Sequence, residues 1–388
     1  MRRRGGRGGL MRYLTFGRTT GLRVSEIALG TSHFGGAGAS AGAGASAGAG
    51  TGGAPHSGRP LWARRTDGPD RAEARRIFDR FAEAGGTFLD TADCYQFGRA
   101  EELLGEFVAA DRDHFVLATK FTAGDGPDAG VSGTGNSRKN IIRSAEASLR
   151  RLRTDRVDLF WAHFPDALTP TEEILAALDH LVAAGKILYA GLSNFPAWRV
   201  ARAVTLAETR GWSPIIGVQT EHNLVNRTAE RETLPMAEAL GLGVAAWSPL
   251  AGGLLTGGYR RTPEGWTSAS GRRHPRHNTD RVEGVVDAVR DIAAEAGVPP
   301  SHVAFAWLRA RADRSATGVV PLVGPRTDDQ LAGYLRALDT TLDGEQVARL
   351  DEVSAEPLGS PHEITALVHD AIVGGAADRV ATPRVPVA

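Results

Sequence analysis

Cysteine is almost missing from this chain: Cys94 is the one such residue among 388, which excludes an internal disulfide and any metal site built on a cysteine cluster. An excess of charge is missing too. Lys plus Arg and Asp plus Glu each number 45, the formal net charge is zero and the sequence pI is about 7.2, so no global field draws in nucleic acid or an anionic membrane. No apolar run approaches the roughly 18 to 20 residues needed to span a bilayer. The opening MRRRGGRGGL carries basic residues with no apolar core behind them, so it does not read as a secretory signal. What remains is a chain expected in the cytoplasm, with a small uncharged or mixed molecule as its partner and neither nucleic acid nor membrane. Met11 begins a sensible strand, and residues 1–10 read as a disordered extension, either an upstream start or an RGG-like arm able to touch RNA.

What the chain does have is a repeating pattern. A hairpin is expected from Tyr13–Phe16 and Leu22–Ser25, and after it short apolar runs alternate with helical stretches. The runs are IALGT from Ile27, TFLD from Thr87, FVLATK from Phe115, VDLFWAH from Val157, LYAGLSN from Leu188, GVQTE from Gly217, GVAAWSP from Gly243 and VVPLVG from Val319. Between them, stretches such as RAEARRIFDRFAEAG and EEILAALDHLVAAG place apolar residues at three- and four-residue spacing, with glycine at the C-terminal end. Eight strands with intervening helices predict a closed parallel (β/α)8 TIM barrel over residues 11–350, followed by a C-terminal tail over 351–388. An open doubly wound sheet is the competing architecture. Its phosphate-loop pattern is met by GAGTGG, Gly48–Gly53, but that run lies inside a Gly/Ala/Ser tract over 35–53 and is followed by APHSGRP instead of a helix. The tract is expected to be a mobile loop within the barrel domain.

In such barrels chemistry gathers at the C-terminal ends of the strands. Asp90 ends the second expected strand and Tyr95 follows in its loop; Lys120 ends the third and His163 the fourth. Ser193 and Asn194 end the fifth, and Gln219 lies in the sixth. Each alone has a plainer reading as a cap, a half-buried ring, a snorkelling lysine or a core histidine. Four ionisable groups converging on one rim cost stability unless they are paired and used. A tyrosine is a poor proton donor near neutrality, with an ordinary pKa near 10, unless a cation favours its anion. Lys120 is expected to be that cation and to lower the phenol's pKa, Asp90 to balance it, and His163 to donate a hydrogen bond to a substrate oxygen.

Together FLDTADCYQFGRAEELLG, LATKF, DLFWAHFPD, GLSNF, GVQTEHNLVNR and AAWSPLAGGLLTG resemble the aldo-keto reductase superfamily, in particular its bacterial NADPH-dependent members. The resemblance implies NADP(H) as cofactor, carbonyl reduction to an alcohol, and Asp90, Tyr95, Lys120 and His163 as a catalytic tetrad with Tyr95 as proton donor. It also implies that Ser193, Asn194 and Gln219 grip the nicotinamide carboxamide and that Trp247 stacks on its ring. Ser248, Leu250, Gly252 and Leu254 match the loop along the pyrophosphate, and Gly30 and Thr31 the first strand end. PLVGPRTDDQLAGYLRAL resembles the adenosine-binding pattern at Gly324, Arg326 and Gln330, with Arg326 suited to a 2′-phosphate. Tyr334 stands where the family has asparagine, so that contact becomes stacking or is lost. By the same analogy Trp62, Phe121, Phe164 and Phe97 line a substrate wall. The superfamily also contains cation-channel β subunits, which makes a nicotinamide-binding regulatory subunit the alternative. A metal hydrolase is suggested only by HPRH at His274–His277, which has no carboxylate partner nearby.

Overall fold

Strand alternation decides which side chains meet. The computed structural model describes residues 11–36, 68–126, 129–263, 265–268, 273–274, 279–381 and 383–385. Strands β1 (Tyr13–Thr15) and β2 (Arg23–Ser25) form the expected antiparallel hairpin. The eight expected barrel strands are present as β3 (Ala28–Gly30), β4 (Phe88–Asp90), β5 (Val116–Phe121), β6 (Val157–Ala162), β7 (Ile187–Ser193), β8 (Ile215–Glu221), β9 (Gly243–Trp247) and β13 (Val319–Val323). They close in parallel in chain order, with β13 pairing both β9 and β3. Helices α1 (Arg71–Glu83), α2 (Arg99–Val108), α3 (Arg138–Leu152), α4 (Thr171–Ala183), α5 (Ala197–Arg210), α6 (Thr233–Leu240), α7 (Asp280–Ala296), α8 (Pro300–Arg314) and α9 (Asp328–Ala337) accompany them. Their ends follow local chemistry: Ser137 caps α3 by accepting from the Asn140 amide, and Gly297 closes α7 at a left-handed φ of 66°.

Two apolar layers result. Inside the barrel sit Phe16, Ala28, Phe88, Val116, Ala118, Leu159, Trp161 and Ala245. A larger layer between strands and helices holds Leu89, Leu117, Phe121, Phe160 and the apolar stripes of the helices. Phe16, just beyond β1, is pushed into the barrel interior, edge-on to Phe88 at 5.6 Å and to Trp161 at 6.3 Å between ring centroids. Room for it comes from Gly217 and Gly243: a Cβ there would lie 2.5 and 2.7 Å from the Phe16 ring.

Two features were not expected. Between β9 and α7 the chain makes a three-stranded antiparallel sheet of β10 (Tyr259–Thr262), β11 (Gly265–Ser268) and β12 (Arg273–His274). The tail is also partly helical: α10 (Gly344–Val353) runs through the expected boundary at residue 350, and α11 (His362–Ile372) follows with no buried residue. Leu350 is fully buried, and Asp351 accepts from the Trp307 indole at 2.8 Å, so the end of α10 belongs to the packed body. Among the described residues no helix is long and apolar enough to cross a membrane. Residues 1–10, most of the Gly/Ala/Ser tract, Trp62 and residues 275–278 lie outside the described residues.

Candidate active site

Inward-facing positions repeat every second residue along a strand. Phe88 on β4, Val116 and Ala118 on β5, and Leu159 and Trp161 on β6 fill the barrel interior, so Asp90, Lys120 and His163 are the next inward positions at the mouth. Lys120 is completely buried. Its Nζ pairs with Asp90 Oδ2, donates to the Thr91 carbonyl at 2.9 Å and donates to the Tyr95 hydroxyl at 3.2 Å. Asp90, 1% exposed, accepts from Gln219 Nε2 at 3.0 Å through its other oxygen. The Tyr95 and His163 rings meet edge to face with centroids 5.9 Å apart.

Burial sets the protonation of this group, and the charges modify it. Burial would lower Lys120, but Asp90 and Tyr95 outweigh it and hold the ammonium above its ordinary value. Burial raises Asp90, with Lys120 and Gln219 opposing. The Tyr95 phenol is pushed up to about 12 by burial, which exceeds the opposing pull of Lys120. This corrects the expectation of a lowered phenol: Lys120 acts in the expected direction but does not win, and Tyr95 stays protonated through the neutral range. His163 is held well below the ordinary imidazole range by burial and then by Lys120, so it is neutral there.

Tyr95 is presented by a tight turn. Gln96, Phe97 and Gly98 follow it with φ of 51°, 58° and 86°, three left-handed residues in succession, two of which are not glycine. The Gln96 side chain anchors the turn by donating to the Ser32 carbonyl at 3.1 Å. Phe97, half-buried, belongs to this turn.

The expected cofactor residues lie at or beyond the C-terminal ends of the barrel strands. The Thr31 amide donates to the Asp90 carbonyl at 2.9 Å, fixing the end of β3 at Gly30 beside the end of β4. Ser193 is buried, and Asn194 takes a left-handed φ of 59°. The Asn194 amide donates to the His163 carbonyl and to Ser193 Oγ, both at 3.0 Å, while its oxygen accepts from the Trp247 indole at 3.1 Å. Ser248 and Ala251 have φ of 60° and 49°, Gly252 and Gly253 65° and 97°, and Ser248 Oγ accepts from the Gly252 amide at 3.0 Å. Leu250 and Leu254 are buried, and the Ala251 and Gly253 amides donate within the segment, to the Ser248 carbonyl at 2.8 Å and the Leu250 carbonyl at 2.9 Å. Farther along, the Arg326 amide donates to Gln330 Oε1 at 2.8 Å, just ahead of α9, which Thr327 caps, and Gly324 is exposed.

One expected contact changes, that of Phe121, and two other rings find their neighbours. Phe121 follows Lys120 and therefore points outward; it is fully buried against Phe160, with centroids 4.9 Å apart, in the layer beneath the helices, so it is core and not substrate wall. Phe164 is half-buried and stacks on His163 at 4.4 Å. Tyr334 packs edge-on to Phe305 at 5.7 Å, and burial raises its phenol above the ordinary value, so its ring serves helix packing. One neighbour was overlooked: the buried Cys94 Sγ lies 3.8 Å from His163 Nδ1, and burial keeps that thiol protonated.

Buried ionisable groups thus stand together at the C-terminal ends of β4, β5 and β6 of a parallel barrel. The aldo/keto reductase family profile matches residues 57–355. The chain belongs to the aldo/keto reductase family. It is 34% identical over 365 residues to the uncharacterized oxidoreductase YrpG of Bacillus subtilis, covering 91% of this chain and 99% of that one. It is 34% identical over 347 residues to the norsolorinic acid reductase stcV of Emericella nidulans, covering 88% and 81% of the two chains. An NADP(+) aryl-alcohol dehydrogenase of Phanerodontia chrysosporium is 33% identical over 317 residues, covering 76% and 79%. The chain is therefore an oxidoreductase with a small-molecule substrate.

Proposed function

We propose that the protein reduces the carbonyl of an aldehyde or ketone to an alcohol with NADPH, Tyr95 giving the proton. The observation that carries this reading is the Lys120 ammonium, buried and paired with Asp90, 3.2 Å from a phenol that keeps its proton at neutral pH. Such a phenol is a poor acid until negative charge develops on a substrate oxygen against it. At that moment Lys120 stabilises the phenolate left behind, while Asp90 keeps the ammonium in place. Neutral His163 supplies a hydrogen bond to the same oxygen without competing for the proton.

The residues present suit NADP(H). Ser248, Ala251, Gly252 and Gly253 are left-handed, and the two glycines, having no Cβ, leave room for a pyrophosphate to lie against the backbone. Arg326 beside the start of α9 suits a 2′-phosphate, with Gly324 and Gln330 flanking it. Ser193, Asn194 and Gln219 would hold the carboxamide, Trp247 the ring, and Gly30 and Thr31 the adjoining ribose, with Leu250 and Leu254 shaping the loop. When bound, the cofactor supplies the hydride. Gln219 also holds Asp90, so the same side chain orients both the cofactor and the ion pair.

The relatives named for norsolorinic acid and aryl alcohols support an aromatic substrate, with Phe164 and Trp62 as candidate walls. The test is NADPH consumption with a panel of aliphatic and aromatic aldehydes by the wild type and Tyr95→Phe. Turnover by the wild type that falls by about 10² to 10⁴ in the variant, with NADPH still bound, is the expected result. NADPH binding without turnover of any carbonyl would instead favour a nicotinamide sensor.

A further inference from the structure

Behind the barrel wall, on the side of the helices, a second charged group lies against the Tyr95 turn. Asp93 is 1% exposed, and neither of its carboxyl oxygens has a hydrogen-bond partner of good geometry among the described residues. Its amide donates to the Lys120 carbonyl at 3.0 Å, so its backbone is tied to β5. Glu101 on α2, fully buried, accepts from Thr119 Oγ1 at 2.5 Å and from Arg151 Nε at 2.6 Å. Arg151 on α3 also donates to Asp125 at 3.1 Å. The same arginine presses on the turn itself: a Cβ on Gly98 would lie 2.7 Å from Arg151 Cδ and 2.9 Å from its Nε.

The charges do not balance if every carboxyl is ionised. Glu101 and Asp125 already share one guanidinium, and Glu101 uses both oxygens as acceptors. Asp93 has no cation of its own, and an unpaired buried carboxylate is among the costliest groups a fold can hold. The other charged or titratable groups near it are Cys94 and Tyr95 on its own loop and Lys120 on β5, which is committed to Asp90. A proton on Asp93 removes the conflict.

We propose that Arg151, Glu101 and Asp93 form a positioning cluster for Tyr95: Arg151 and Glu101 hold the left-handed turn, and Asp93 serves as a protonated acid whose ionisation unseats it. The cluster deepens the reading of Tyr95 as proton donor and rests on it. Burial, then Glu101, lifts the Asp93 carboxyl to about 8, and Arg151 offsets only part of this. Tyr95 itself titrates far higher. An alkaline decline in activity is therefore expected from Asp93, whose oxygens lack a partner in the packed turn, before it is expected from Tyr95.

The test compares wild type, Asp93→Asn and Arg151→Lys. Asparagine copies the protonated acid in shape and lack of charge, so Asp93→Asn should keep kcat near the wild-type value at neutral pH. It should also carry activity past about pH 8, where the wild type declines. Thermal stability gives a readout independent of turnover. The folded carboxyl keeps its proton up to about 8, whereas an unfolded one releases it near 3.9, so the wild type loses stability as pH rises across that window. The Tm of Asp93→Asn should gain on that of the wild type through the window and the gap should level off above it. Arg151→Lys keeps the charge and loses the fork; kcat should fall about tenfold with NADPH affinity unchanged. A tenfold loss at neutral pH in folded Asp93→Asn, an unchanged alkaline limb, or wild-type kcat in Arg151→Lys overturns the proposal. Should Tyr95→Phe prove fully active, the donor assignment falls by itself, and the Tm comparison still decides whether Asp93 holds a proton.

Discussion

Replacing Lys120 with methionine tests the ion pair at the centre of the site, because Met keeps most of the stem volume and removes the charge. A phenolate oxygen 3.2 Å from an ammonium gains about 5 kcal/mol at an effective dielectric constant of about 20. That corresponds to roughly 10³ to 10⁴ in rate if the phenolate is fully formed in the transition state, and less if it is only partly formed. The same change leaves Asp90 buried without its cation, beside the Gln219 amide and the Trp161 indole, a loss on the order of 3 to 5 kcal/mol in fold stability unless Asp90 takes up a proton. The assay is single-turnover reduction of a reactive aldehyde by the NADPH-loaded protein, alongside thermal unfolding and direct titration of NADPH. The expected outcome is kcat down by about 10³, NADPH affinity within a few-fold, and a lowered Tm. Tyr95→Phe should lose a similar factor, and the double variant should be scarcely worse than either single one, since both remove the same proton-transfer step. A folded Lys120→Met protein with kcat within tenfold of wild type would show that the ammonium is structural and that the phenol needs no help.

Three other outcomes follow from the same site and its surroundings. Arg326→Ala should raise the NADPH dissociation constant about tenfold or more, on the order of 1.5 to 3 kcal/mol, while leaving NADH nearly unchanged; equal losses in paired titrations would make Arg326 structural. Phe121→Ala should cost about 3 to 5 kcal/mol in denaturant unfolding with little change in KM, whereas Phe164→Ala should shift KM for aromatic aldehydes with little change in stability. The reverse pattern would restore Phe121 to the substrate wall. His163 binds its proton only far below the ordinary imidazole value when folded and near 6.5 when unfolded, so it makes the wild type lose stability as pH falls below about 6.5. His163→Asn should therefore show a shallower decline in Tm between about pH 6.5 and 4.5; an equal slope would place that imidazole in an ordinary environment.

The positions of Asp90, Lys120 and His163 were legible because each closes a short, nearly continuous apolar run, and within a strand successive side chains point to opposite faces. The same rule, applied one residue further, turns Phe121 away from the mouth; family analogy placed it on the wall, and the period of two was the signal that could have prevented this. The sheet of β10 to β12 was not legible, since YRRTPEGWTSASGRRH mixes glycine, proline and charge without a sustained period. Nor was the cluster of Asp93, Glu101 and Arg151, whose members come from a loop and two helices and meet only after the barrel closes. The height of the Tyr95 pKa was equally hidden, because it depends on how far burial outweighs one nearby cation, which residue order does not state.

Phe16 has a consequence for how the chain is made. Its ring fills space vacated by Gly217 and Gly243, about two hundred residues later in synthesis. At roughly 5 to 20 residues per second, the interval between the emergence of Phe16 and that of its seat is about 10 to 45 s. Through that interval the ring lacks its seat, with Phe88 and later Trp161 emerging as its first aromatic neighbours. The barrel cannot close behind it until β13 emerges to pair with β3. Half-finished chains therefore carry an apolar N-terminal element that is only partly covered until the late strands arrive, which is the kind of surface that chaperones hold.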